Sequence, residues 1–391
     1  MQNSERFKSM FSNMTRSRKT LLGVGPMTVR VVEETVSLAN QIKLPIALIP
    51  SRRQIECEEL GGGYVNDWNT QSFTQFVRTL DKGDFVFLSR DHSGPWQLSQ
   101  TNKDGLKLGH REAMDEVKNS LEIDIRCGFD ILHIDPSPGL ENGRSEMDVI
   151  EDIVEIVDFC CEIQKGRPPI FEVGADEQSM VPDLPSKAEE KLGFIIESLV
   201  RKGLPKPLFY VLQTGTKVKE LRNIGSFATH IPVRDMLSPT FQIPEILKLC
   251  ESFGIYLKEH NADYLPAESL RWHTIFGIHA ANVAPEFGVE ETRAIVYLAQ
   301  TYNESWFVDL FSDHVLRRDK WQKWLMDNSQ STDLEKVFMA GHYHYADVEV
   351  KEYLSRLESS LAFKGVEMDS FIRRRVRKAI NKYLVEFGYY E

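Results

Sequence analysis

Long apolar runs are missing from this 391-residue chain. None approaches the roughly 20 apolar residues a membrane helix needs, and the opening stretch MQNSERFKSMFSNMTRSRK has no apolar core of the kind a secretory signal requires. The expectation is a cytoplasmic protein with no membrane partner. Cysteine is scarce as well. Cys57, Cys127, Cys160, Cys161 and Cys250 are odd in number, form no CxxC pair and lack the density of a disulfide scaffold, so they read as reduced thiols. Positive charge is in deficit: 47 Lys and Arg against 58 Asp and Glu leave a formal net charge of −11. That balance disfavours nucleic acid and anionic membrane as partners, while local basic spots can still meet a small anion. Low-complexity tracts and solenoid-period repeats are also lacking. With 42% hydrophobic residues, the chain has the means to bury a full core.

What is present is βα repetition. Short apolar runs, each followed by a longer segment of helical period, begin at Leu21 (LLGVGPM), Leu44 (LPIALIP), Asp84 (DFVFLS) and Phe129 (FDILHID). Four more begin at Pro169 (PIFEVG), Leu208 (LFYVLQTG), Gly254 (GIYLKEH) and Gly277 (GIHAANV). Eight such units in series predict a closed parallel (β/α)8 TIM barrel rather than an open doubly wound sheet, which needs a switch point and usually fewer strands. After about Asn303 the pattern turns helical. The predicted organisation is an N-terminal tail over 1–20, a barrel over 21–303 and a helical extension over 304–391 packed on it.

Chemistry in such a barrel sits where the strands end. Polar residues collect there: Ser51 to Gln54 after the second run, Arg90, Asp91 and His92 after the third, His133 and Asp135 at the fourth, and Glu172 at the fifth. Gln213 and Lys217 follow the sixth, Glu259 to Asn261 and Asp263 the seventh, and His279 and Asn282 the eighth. So many ionisable groups at the ends of apolar strands are costly unless paired or holding a metal. His92 and His260 with Glu172 suit a divalent ion, zinc by preference, with a position left open for substrate. Asp91 is placed to move a proton, and Glu172 is an alternative proton carrier. Arg52 and Arg53 suggest a phosphate or carboxylate on the substrate, the competing account being ion pairs with Glu56, Glu58 or Glu59. The helix opening at NVAPEFGVEETRA is where such barrels often hold a phosphate, although its glutamates would repel one. Gly61 to Gly63 read as a turn, GHYHY (from Gly341) as an aromatic packing loop, and FIRRRVRKAINKY as the solvated face of an amphipathic helix.

RDHSGPWQ, GFDILHIDPS, FEVGADEQ, YVLQTG, EHNADYLP and NVAPEF together resemble the family of the non-catalytic subunit of class II D-tagatose-bisphosphate aldolase. More remotely the chain is similar to the metal-dependent class II aldolases, whose Asp-His pair at a strand end moves the proton and binds zinc. That resemblance implies Asp91, His92 and Asn282 in the corresponding roles, with His260 as a second metal ligand. Gln213 stands where those aldolases carry another histidine. Substrate contacts are expected at Arg52, Arg53, Gln97, Asp135, Gln213, Lys217 and Asn282. The implied activity is metal-assisted carbon–carbon cleavage of a phosphorylated or activated sugar. Its alternatives are sugar epimerisation by the same residues and a stabilising role beside a separate aldolase subunit; a homo-oligomer is the other expected assembly.

Overall fold

The computed structural model describes residues 3–101, 105–174, 180–229 and 239–390. Eight parallel strands close into a barrel: β1 (Leu21–Val24), β2 (Ile46–Leu48), β3 (Val86–Ser93), β4 (Ile131–Ile134), β5 (Ile170–Val173), β6 (Phe209–Val211), β7 (Tyr256–Glu259) and β8 (Ala280–Val283). Each pairs with its neighbours in chain order, and β1 closes against β8 with Gly23 opposite Asn282. The strands are short because the apolar runs are short. Helices such as Val29–Ile42 and Glu146–Ile163 follow them, each opened by a hydroxyl cap, Thr28 and Ser145 respectively. This is the TIM barrel the sequence predicts.

The first residues do more than trail from the barrel. Asn3–Arg16 is a helix whose Phe7, Phe11 and Met14 are buried. Phe7 packs edge-on against Phe87 with ring centroids 4.9 Å apart, and Phe11 does so against Phe209 and Tyr256 at 5.0 Å each. Those rings lie at or near the starts of β3, β6 and β7, so the helix plugs the end of the barrel opposite the strand C-termini. His279 lies at that plugged end too. It immediately precedes β8, its Nδ1 accepts the Leu257 N–H at 3.1 Å, and burial holds it down at about 4. It therefore does not share the mouth with Asn282: the strand starts at Ala280, three residues after the Gly277 of the sequence reading, which leaves His279 before its start.

The extension folds back along the barrel. Helix Met368–Glu386 packs on Pro285–Thr301 and Val29–Ile42, burying Ile372, Val376 and Ile380. The basic residues of FIRRRVRKAINKY are in part committed: Arg373 pairs with Glu33 at 2.6 Å and Arg377 with Glu34 at 3.0 Å. Tyr389 accepts the Leu22 N–H and donates to Pro45 O, tying the end of the chain to β1. No described helix is long and apolar enough to cross a membrane.

Candidate active site

β3 carries the opening pair. Its register against β4 shifts between Arg90 and Ser93, a bulge of the kind that re-aims side chains at a barrel rim. His92 at φ 52° completes the turn. Gly94 follows, where a Cβ would collide with the Asp135 carbonyl, so only glycine lets the Ser-Gly-Pro turn lie this close to the end of β4.

Below the turn, alternate residues of several strands meet inside the barrel. Asp91, His133, Glu172 and His260 each place a ligand atom within 4.8 Å of the others. The His260 ring nitrogen lies 3.0 Å from Glu172 Oε1, Lys258 Nζ donates to Glu172 Oε2 at 2.6 Å, and His133 Nδ1 is 3.4 Å from Asp91 Oδ1. His92 stands beside this group. Its ring centroid is 5.1 Å from His133 and 5.4 Å from His260, and its Nδ1 is bonded to Asp135 at 2.8 Å. Gln97 Nε2 donates to the same Asp135 oxygen at 2.7 Å. Asn282 Nδ2 reaches Asp91 Oδ1 at 3.5 Å; a Cβ on Gly23 of the facing strand would collide with the Asn282 amide, so that glycine makes room for it.

Burial would raise the Asp91 carboxyl, but His92, His260 and His133 together bring it well below the ordinary carboxylate range. Glu172 behaves alike: against the cost of burial, Lys258 first and then His133 and His260 hold it down at about 2. Both carboxylates are therefore ionised, and Asp91 alone of the four ligand candidates lines the open cavity, a space of about 520 Å³ that it shares with His92, Gln97, Arg53 and Asn261. That size falls within the range of small-molecule sites.

No family model and no curated protein matches this chain. Solved structures do. The "probable tagatose 6 phosphate kinase" from Sinorhizobium meliloti 1021 superposes with a TM-score of 0.71 at 16% identity, over 94% of this chain and 100% of that one. Fructose-bisphosphate aldolase from Campylobacter jejuni superposes with a TM-score of 0.55 at 10% identity, over 98% and 95% of the two chains. The likeness is one of fold.

The structure brings Asp91, His92, Gln97, Asp135, Glu172, His260 and Asn282 together. It adds two residues that the sequence reading did not assign to the site, His133 and Lys258. Arg53 lines the cavity, its Nε donating to Gln97 O at 3.2 Å. Arg52 also lines the cavity, but it is buried and pairs with Glu56 at 2.6 Å, the arrangement named above as the competing account. Gln213 and Lys217 sit on the segment after β6 and are not among the residues lining the cavity. Arg90 and Glu259 face the surrounding helices, Arg90 on Asp124 at 2.6 Å and Glu259 on His273 at 2.7 Å. The loop of FEVGADEQ after Gly174 lies outside the described residues.

Two other features resemble sites. The N-terminus of Pro285–Thr301, after β8, is filled by the Asp263 carboxylate, which accepts the N–H groups of Glu286 at 2.8 Å and Ala284 at 3.0 Å. In the extension, His314 and His344 share Asp347 Oδ2 at 2.8 and 2.9 Å, but Arg318 stands 3.6 Å from the same oxygen and already supplies a cation.

Proposed function

We propose that this protein is a carbon–carbon lyase of the aldolase type that acts on a phosphorylated or otherwise anionic sugar. The observation that carries the reading is the ionised Asp91 carboxylate, backed by three histidines and opening on a ligand-sized cavity at the C-terminal mouth of a TIM barrel. The fold likeness to a protein named fructose-bisphosphate aldolase agrees with it.

The donor set fits a divalent cation. With neutral imidazoles, the three carboxylates Asp91, Asp135 and Glu172 against the single ammonium of Lys258 leave two negative charges uncompensated in a buried cluster. Asn282 Oδ1 is buried with no hydrogen-bond partner among the described residues, an acceptor still open to one. His133, Glu172 and His260 would hold the ion with Asp91 left beside it as the base, zinc being well suited to imidazole and carboxylate donors; bound there, it would polarise a substrate carbonyl.

Asp91 takes the proton of a substrate hydroxyl. The oxygen closes to a carbonyl, the adjacent carbon–carbon bond breaks, and its electron pair stays on the carbon beside the second carbonyl. Lys258 keeps Glu172 ionised, Asp135 and Gln97 hold His92 in place, and Asn282 orients Asp91. Returning the same electron pair to the other face of the new carbonyl would epimerise the sugar instead of cleaving it. The test is metal analysis of the purified protein coupled to a screen of ketose phosphates and sugar acids for cleavage and epimerisation. Stoichiometric divalent metal and turnover of one such sugar are expected. A protein without turnover that raises the activity of a separate aldolase would overturn the reading in favour of a stabilising subunit.

A further inference from the structure

The wall of the cavity facing the C-terminal extension has a charge that the aldol chemistry does not use. Asp91 is the one carboxylate among the described residues that line the cavity, whereas Arg53, Lys320 and Lys323 are all on its wall. Among the described residues none of these three cations forms a close ion pair: Arg53 donates to Gln97 O, Lys320 to Tyr343 O, and the Asp347 carboxylate acts on Lys320 from farther off. In a chain with a net charge of −11, an unpaired basic cluster at the cavity runs against the average.

The cluster is held in place. The turn Gln322–Trp324 is clamped by the hairpin that follows β6: Glu220 N donates to Trp324 O at 2.7 Å, and Lys219 Nζ donates to Lys323 O at 3.0 Å and Leu325 O at 3.2 Å. Lys323, exposed as a residue at the rim, keeps its ammonium between aromatic rings, 4.9 Å from that of Trp324 and 5.0 Å from that of Tyr343. Lys320 lies 5.7 Å from the Tyr64 ring, so the loop after β2 closes the other side. Enclosure first, then Arg53 and Lys320, bring Lys323 down to about 8, the response of a cation crowded by cations. The indole N–H of Trp324 is buried and turned toward the Tyr343 hydroxyl on the same wall. The usual place for a phosphate in such a barrel, the helix after β8, is taken by Asp263.

We propose that the C-terminal extension completes the substrate site, Lys320 and Lys323 joining Arg53 to form a subsite for an oxyanion, the phosphate ester or carboxylate of the sugar. This rests on the aldolase-type reading for the identity of the sugar, but not for the binding of the anion. An anion there relieves the repulsion among the three cations.

The experiment is calorimetric titration of the full-length protein with inorganic phosphate and, separately, with acetate. Phosphate should bind, and Lys320→Gln and Lys323→Gln should each weaken it at least tenfold, while Lys323→Arg retains most of the affinity. Circular dichroism on each variant establishes that the fold is kept. Asp91→Asn should leave phosphate binding intact, so loss of the aldol reading and loss of the subsite are separate results. Phosphate binding tighter than acetate assigns a phosphate ester, and the reverse order a carboxylate. No binding of either anion, or equal binding by the folded lysine variants, would overturn the proposal.

Discussion

Asp91 meets His92, His133, His260 and Asn282 at distances between 3.4 and 3.9 Å, and no other carboxylate among the described residues lines the cavity. Asp91→Asn keeps its shape and removes the base, so turnover should fall by at least the roughly 100-fold of a lost general base, with thermal stability little changed; near-wild-type kcat would exclude the role. Asp263 supplies a pH effect. Burial, with the Glu286 charge beside it, outweighs the backbone hydrogen bonds it accepts and raises it to about 7, above its ordinary 3.8. The stability this contributes is full below the unfolded value and is lost as pH rises through about 7. Urea unfolding should therefore show wild type losing more stability between about pH 5 and pH 8 than Asp263→Asn, whose amide oxygen still caps the helix. Equal losses would contradict the argument. Much of the site could be read from residue identity and strand alternation. Asp91, Glu172, His260 and Asn282 are inward positions of four strands or strand ends. The same period of two singles out His133 with Asp135 and Lys258 with His260, and sends Arg90 and Glu259 outward. Residue type alone did not separate inward from outward, which is why Lys258, beside the conspicuous Glu259 and His260, went unassigned.

Elements explain what individual side chains cannot. The eight strands were legible because each apolar run is short, ends in a polar or glycine residue and precedes a helical period. The first helix was not. Asn3–Arg16 has a polar average, and its Phe7, Phe11 and Met14 stripe has a partner only once the barrel has closed beneath it. Phe11→Ala should cost about 3–5 kcal/mol in urea unfolding, the range for deleting a buried aromatic side chain, without changing KM. A loss below about 1 kcal/mol would mean that the helix does not seal the barrel. The bulge in β3 and the positive φ at His92 and Asn261 were likewise hidden, since each depends on how neighbouring strands meet rather than on local sequence.

For the whole molecule, the barrel places the ionised cluster at its centre and the extension brings Tyr343, Lys320 and Lys323 to the cavity from more than two hundred residues after Asp91. No periodicity foretells such a meeting. GHYHY looked like packing and in part is, with His342 against Gly288, yet Tyr343 of the same turn lines the cavity. If a divalent ion balances the cluster, chelation should lower the melting temperature and resupply of the ion should restore it, because a ligand that binds only the folded state stabilises it. An unchanged melting temperature would favour protonated histidines as the balancing charge. The central claim is that Asp91 opens a path to a carbanion beside a carbonyl. Solvent-deuterium incorporation at that carbon of a turned-over ketose phosphate, followed by proton NMR, tests it most directly. The account predicts exchange by the wild-type protein and its loss in Asp91→Asn. Exchange that persists in Asp91→Asn, or wild-type turnover without exchange, would contradict it.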